Sequence, residues 1–166
     1  MLERKYLAHY IDAAFDTSGQ KTNYVRLGDH LEELNVEMNP SIENTNNILG
    51  ESSAILQGYE VSAGVDPFYI TNDEALSQKL MEIVDNERTG DKVRTTAVDV
   101  WMKAGETPDA PPEVIKAVRR EVIVAVDSYG GDTSGVQIPF TLHGSKNKTK
   151  GTFDLQSKVF TSSDSL

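Results

Sequence analysis

Residues 119–160, RREVIVAVDSYGGDTSGVQIPFTLHGSKNKTKGTFDLQSKVF, constrain the fold more than any other stretch. They predict three strands and two turns. Val136, Ile138, Phe140 and Leu142 alternate with Gln137, Pro139, Thr141 and His143, the period of two of a half-buried strand. Phe153, Leu155 and Val159 set the same period against Thr152, Asp154, Gln156 and Lys158. Val122 to Val126 form a continuous apolar run, so that strand is expected to be covered on both faces at the centre of a sheet. Between the first two strands, Gly130, Gly131, Asp132 and Gly135 specify a conformational turn, because glycine reaches positive φ without a steric cost. Residues 144–151 are polar, carry three lysines and have glycine at each end, which predicts a long, basic, mobile hairpin tip.

The rest of the chain must cover that sheet. Its 166 residues suggest a single domain over 1–166 that buries its own core. A net charge of −10 argues against a protein that grips nucleic acid by its phosphates, which takes a basic surface. With no cysteine, disulfides and thiolate metal sites are excluded. No apolar run approaches the roughly 20 residues that span a bilayer, and the first residues are charged where a secretory signal needs an apolar centre. The expectation is a protein folded in a reducing cytoplasm, with no membrane partner.

Leu2, Leu7, Tyr10, Ile11 and Ala14 leave residues 1–20 open between a short amphipathic helix and a terminal arm ordered by a partner. A short strand is expected at 24–27, then an extended segment through Met38. Pro40 prevents helix there, and residues 36–50 are read as a long loop whose Ile48 and Leu49 need a cover. Residues 53–62 read as a strand with Ile55, Gln57, Tyr59 and Val61 on one face. The clearest helix is predicted at 72–87, with a Thr71–Glu74 capping box, an Ile70–Ala75 staple, a stripe of Leu76, Leu80, Ile83 and Val84, and Gly90 closing it. Residues 93–102 form a further strand, with Val98, Val100 and Met102 opposed to Ala97, Asp99 and Trp101. Residues 104–112, with three prolines, read as an irregular crossover; residues 114–120 stay open between a helical turn and a strand. Residues 161–166 are expected to fray. The sum is a mainly β protein without βαβ alternation or repeats.

Catalytic chemistry is hard to find in this pattern. Gly131-Asp132-Thr133-Ser134-Gly135 puts serine fourth, not third as in a nucleophile elbow, and reads as a turn bonding its own backbone. Tyr129-Gly130-Gly131 could form an anion nest, but no helix start or phosphate-binding lysine follows. His9, His30 and His143 lie in unrelated segments without metal-ligand spacing, so no metal or cofactor is expected. Glu32, Glu33 and Glu37 read as a solvated face, and Trp101 as core or interface.

Several pieces lie in a telling order: Tyr24-Val25-Arg26-Leu27-Gly28-Asp29, Leu34 to Pro40 leading into Asn47-Ile48-Leu49-Gly50-Glu51, Ser128 to Gly135 running into Ile138-Pro139-Phe140, and Gly151-Thr152-Phe153-Asp154. Together they resemble the major tail tube proteins of long-tailed bacteriophages and prophages, particularly those of Gram-positive hosts. The resemblance spans about Tyr24 to Phe160, with 104–112 as a variable insertion. It implies two packed antiparallel sheets, sandwich- or barrel-like, with one flanking helix. It also implies a non-enzymatic virion protein assembled in the host cytoplasm. Hexameric rings would stack into a hollow tube, enclosing the tape measure protein, meeting tail terminator and baseplate or distal tail proteins, and passing double-stranded DNA without specific binding.

Under this reading the 36–50 loop reaches a neighbouring subunit or ring through Asn39, Asn44, Asn47, Ile48, Leu49 and Gly50, and is disordered in a free monomer. Glu37, Glu60 and Asp99 are candidates for an acidic lumen wall, on alternating strands at 34–38, 53–62 and 93–102. A tube from a contractile phage-tail-like bacteriocin or a type VI secretion particle is an alternative, as is a small β-rich enzyme or ligand-binding module.

Overall fold

The computed structural model describes residues 1–163. Its strands are β1 (Leu7–Asp12), β2 (Tyr24–Leu27), β3 (Val36–Glu37), β4 (Pro40–Asn46), β5 (Ser52–Tyr59), β6 (Ser62–Val65), β7 (Arg94–Lys103), β8 (Glu113–Val126), β9 (Gly130–Asp132), β10 (Gly135–Gln137), β11 (Phe140–Asp154) and β12 (Val159–Ser162). One α-helix, α1 (Ala75–Asn86), lies between β6 and β7. The protein is mainly β, as the sequence predicts, with a curled antiparallel half-barrel sheet, smaller sheets and one helix.

Eight strands make the main sheet, in the order β2-β1-β7-β8-β11-β6-β3, with β12 also on β11. β11 organises the curl. Its first residues pair with β6 on one side and β8 on the other, and its last residues pair with β12. β4 with β5, and β9 with β10, form separate two-stranded sheets.

Alternation sorts the apolar residues onto two faces. One face carries Ile11, Leu27, Val122, Val124, Phe140 and Leu142, and α1 covers it with Leu76, Leu80 and Ile83. The other carries Ala8, Tyr10, Tyr24, Val98, Val100 and Ala117, closed by Phe153 with help from Leu155 and Phe160. The ring centroids of Tyr10 and Phe153 are 4.6 Å apart, and Tyr24 meets Phe153 edge-on at 5.8 Å. Burial pushes the Tyr24 phenol up from its ordinary pKa, while its hydroxyl shares a 2.8 Å hydrogen bond with Thr96 Oγ1. In the Val122–Val126 run the two coverings are unequal: Val122 and Val124 are buried, whereas Ile123, Ala125 and Val126 are half-buried.

The N-terminus corrects the expectation of a helix or arm. A short 3-10 turn, Arg4–Tyr6, leads into β1, which lies inside the sheet between β2 and β7. Because β1 buries residues on both faces, it lacks the period-two signature, and its apolar positions imitate a helical spacing. Asp12 ends this strand fully buried. Its carboxylate accepts from the backbone N–H groups of Ala14, Asp16 and Asn23 at 2.8–2.9 Å, which fixes the loop the sequence showed only as polar.

Residues 144–151 are no hairpin tip. They run along β11, with Lys148 opposite Arg120 and Gly151 opposite Ala117, and a bulge between Gly144 and Lys148 takes up the extra residues. The glycines mark close approach instead of a turn: a Cβ on Gly151 would lie 2.1 Å from Thr161 O, and one on Gly144 2.6 Å from Arg120 Cδ. The turn falls at 155–158, where Asp154 accepts from the N–H groups of Gln156 and Ser157. Those two donors hold its carboxyl below the usual carboxylate range. Val136 also departs from the expected inward series, being 56% exposed, while Ile138, Phe140 and Leu142 are buried.

Residues 104–112 are not a crossover. β7 and β8 are antiparallel neighbours, so the segment is a hairpin loop, flanked by a 2.8 Å Lys103–Glu113 ion pair. The undecided residues 114–120 belong to β8, and the expected 53–62 strand is split between β5 and β6. The helix starts at Ala75. Glu74 is its N-cap without a side-chain cap bond, and Thr71 N donates to Ser77 Oγ at 3.2 Å, so the capping box does not form. Glu87, left-handed at φ 48°, ends the helix before Gly90. Thr161 and Ser162 are paired in β12 and not frayed; residues 164–166 lie outside the described residues.

Candidate functional site

Residues 36–50 do not form an irregular loop. β3 is followed by a two-stranded hairpin, β4–β5, that stands apart from the main sheet. Every residue of β4 is exposed, and all of β5 except Gly58. Seven pairs zip it, from Pro40–Tyr59 to Asn46–Ser52, with a register shift between Ser41 and Ile42. At about 3.3 Å per residue, the seven residues of β4 extend roughly 23 Å. Asn39, at φ 45°, anchors the base: its Nδ2 donates to Glu60 O at 2.9 Å and to Ser62 Oγ at 3.1 Å.

Asn47 builds the tip. Its Oδ1 accepts from the N–H groups of Leu49 and Glu51 at 3.0 Å, and its Nδ2 donates to Glu51 Oε2 at 2.7 Å. Gly50 completes the turn at φ 78°. This local bonding leaves Ile48 103% and Leu49 78% exposed. Asn44, Asn47, Ile48, Leu49 and Gly50 thus gather at the far end of one hairpin, with Asn39 at its base. The sequence marked these residues, but the turn-forming asparagines hid the strands flanking them.

A second surface was missed. The concave face of the sheet forms a groove of about 620 Å³. Val36, Met38 and Val61 line one wall, and Asp99, Trp101, Lys116, Val118 and Arg120 of β7 and β8 face them, with Lys148 of β11 and Arg4 at the rim. His9 lies against the floor, about nine-tenths buried. Its Nδ1 is 2.6 Å from Asp99 Oδ1, and its buried Nε2 has no hydrogen-bond partner among the described residues. Lys116 Nζ sits 5.0 Å from the Trp101 ring centroid. Arg120 donates to Ser145 O at 2.8 Å, and Arg4 to Leu34 O at 2.8 Å. Among the described residues no carboxylate pairs with Lys116, Arg120 or Lys148. The cations are scattered over three segments, so no run of basic sequence announces them.

The three acidic candidates do not converge. Glu37, opposite Ser62 on the β3–β6 pair, and Glu60 lie near the hairpin base. Asp99 is on β7, tied to His9 and flanked by the groove's cations. The strands 34–38, 53–62 and 93–102 therefore share no continuous wall. At the glycine turn, Gly130 and Gly131 lie in β9 and Gly135 in β10, and Asp132 Oδ1 accepts from Ser134 N at 2.8 Å at the tip of that hairpin. Among the described residues no cluster of three or more His, Asp or Glu could hold a metal ion. No helix among them is long and apolar enough to cross a membrane. Compared with known proteins, the chain matches no family model and no curated sequence.

Proposed function

We propose that this chain is a structural subunit that assembles into rings and stacked tubes, as the tail tube proteins of long-tailed phages do. The observation that carries this reading is the exposed β4–β5 hairpin. A two-stranded ribbon with apolar side chains in water is marginal by itself, and this one presents Ile42, Ile48, Leu49, Ile55, Leu56 and Tyr59. Contact with another chain would shelter that surface. The main sheet also ends in unpaired edges at β2 and β3, which invite strand pairing between copies. Hairpin and sheet edges are different surfaces, so contacts between them are head-to-tail, and head-to-tail contacts close into rings or run on as filaments.

In this role the protein belongs to a virion tail assembled in the host cytoplasm. Its rings are hexameric, its lumen holds the tape measure protein and then passes DNA, and its ends meet terminator and baseplate or distal tail proteins. A net charge of −10 suits a conduit that gives phosphates no deep well to stop in. Electron microscopy of the concentrated protein tests the proposal. Rings or hollow tubes are expected; a dispersed monomer at every concentration and salt condition would overturn it.

A further inference from the structure

We propose that the β4–β5 hairpin of one copy docks in the concave groove of the next, with Glu43 and Glu51 set against Lys148 and Lys116. This rests on the assembly reading and names its contact. Charge complementarity is the first reason. From Leu27 to Gln78 the chain has no lysine or arginine, so the hairpin carries only negative charge, while the groove's Lys116, Arg120 and Lys148 have no carboxylate partner among the described residues.

Register is the second. Glu43 is paired across the hairpin with Ile55, and Glu51 is in phase with Ile55 four residues earlier. The two carboxylates therefore share one face, about 13 Å apart at the strand rise. In the groove, Lys148 is paired with Arg120, and Lys116 lies four residues from Arg120 on the same strand and in the same phase, again about 13 Å away. Apolar surface matches too. Ile55 is exposed on the acidic face of the hairpin; on the groove side Val118 lies between Lys116 and Arg120, and Trp101 lies opposite Lys116.

The contact joins unlike surfaces, so each copy offers one hairpin and receives another, which propagates around a ring. It also gives the exposed lysines the counter-charges that no carboxylate among the described residues supplies. The pairs act mainly on specificity and encounter rate, and the buried apolar area supplies most of the attraction.

Three variants test this by sedimentation over a range of concentrations: the groove variant Lys116→Glu/Lys148→Glu, the hairpin variant Glu43→Lys/Glu51→Lys, and the chain carrying all four changes. All four positions are exposed, and unchanged thermal unfolding checks the fold. Each double variant is expected to associate about tenfold or more weakly, because like charges then face each other. An equimolar mixture of the two should recover association, since each supplies the opposite charge to the other, and so should the fourfold chain. If wild type assembles and the groove variant assembles equally well, the docking is wrong and the assembly reading stands. If wild type never assembles, both fall. A short duplex DNA that binds wild type and not the groove variant would make the groove a phosphate site and overturn the proposal.

Discussion

At Asp12 a fully buried carboxylate gathers three backbone N–H groups from the loop that follows β1. Without it three loop donors lose their acceptor; Ala14 and Asn23 are exposed and Asp16 is half-buried, so water replaces it in part and the loss is roughly 1–3 kcal/mol in all. Asp12→Ala is therefore expected to lower stability by about 1–3 kcal/mol, with Asp12→Asn between that variant and wild type; urea unfolding measures both. Gly131 illustrates a different constraint. It sits at φ 152°, and a Cβ there would lie 2.1 Å from Gly135 O. Gly131→Ala should destabilise by more than about 1 kcal/mol. A thermal midpoint equal to wild type would show that the β9–β10 hairpin opens without consequence for the core.

At the scale of elements, β1 and the β4–β5 hairpin are opposites. β1 is short, carries His9 and Asp12, and is buried on both faces between two partners. The hairpin is longer and well paired, yet all of its strand residues except Gly58 are exposed. Local stability follows contact with the core more than pairing. In the free monomer, amide exchange should be fast throughout β4–β5 and slow in β1, β7 and β8. On assembly the hairpin amides should gain protection. Removing residues 44–49 should leave thermal unfolding of the main sheet unchanged and abolish assembly. Tubes of normal length from that deletion would remove the hairpin from the contact.

For the whole molecule, the half-barrel gives the chain two kinds of surface. The face that α1 covers is closed around Val122 and Val124 and open farther along the same strands, where Asp99, Trp101, Lys116, Val118 and Arg120 form the groove. The groove and the hairpin carry opposite charge. Any channel wall must draw its negative charge from carboxylates that are not already paired, so Glu37 and Glu60 are better candidates than Asp99, which is bonded to His9. Replacing Glu37 and Glu60 by lysine should slow DNA delivery from assembled particles at low salt, where charge is least screened. Unimpaired delivery from intact tubes would put both residues outside the channel.

The sequence by itself determined the β class, the helix with its Leu76, Leu80 and Ile83 stripe, the inward sets Val98-Val100-Met102 and Ile138-Phe140-Leu142, the glycine turn, and the exposure of Ile48 and Leu49. In each case the pattern is local: a period, a turn residue or an apolar pair speaks within a few positions. Tertiary structure alone decided the rest. β1 became a strand because β2 and β7 supply its hydrogen bonds, and residues 144–151 became strand because the long β8 offers partners across a bulge. Gly144 and Gly151 serve close approach, which a sequence cannot distinguish from a turn when the approaching backbone is distant in the chain. The groove escaped for the same reason: Lys116 and Arg120 meet Lys148 only when β8 pairs with β11, and Arg4 joins them only in the folded sheet.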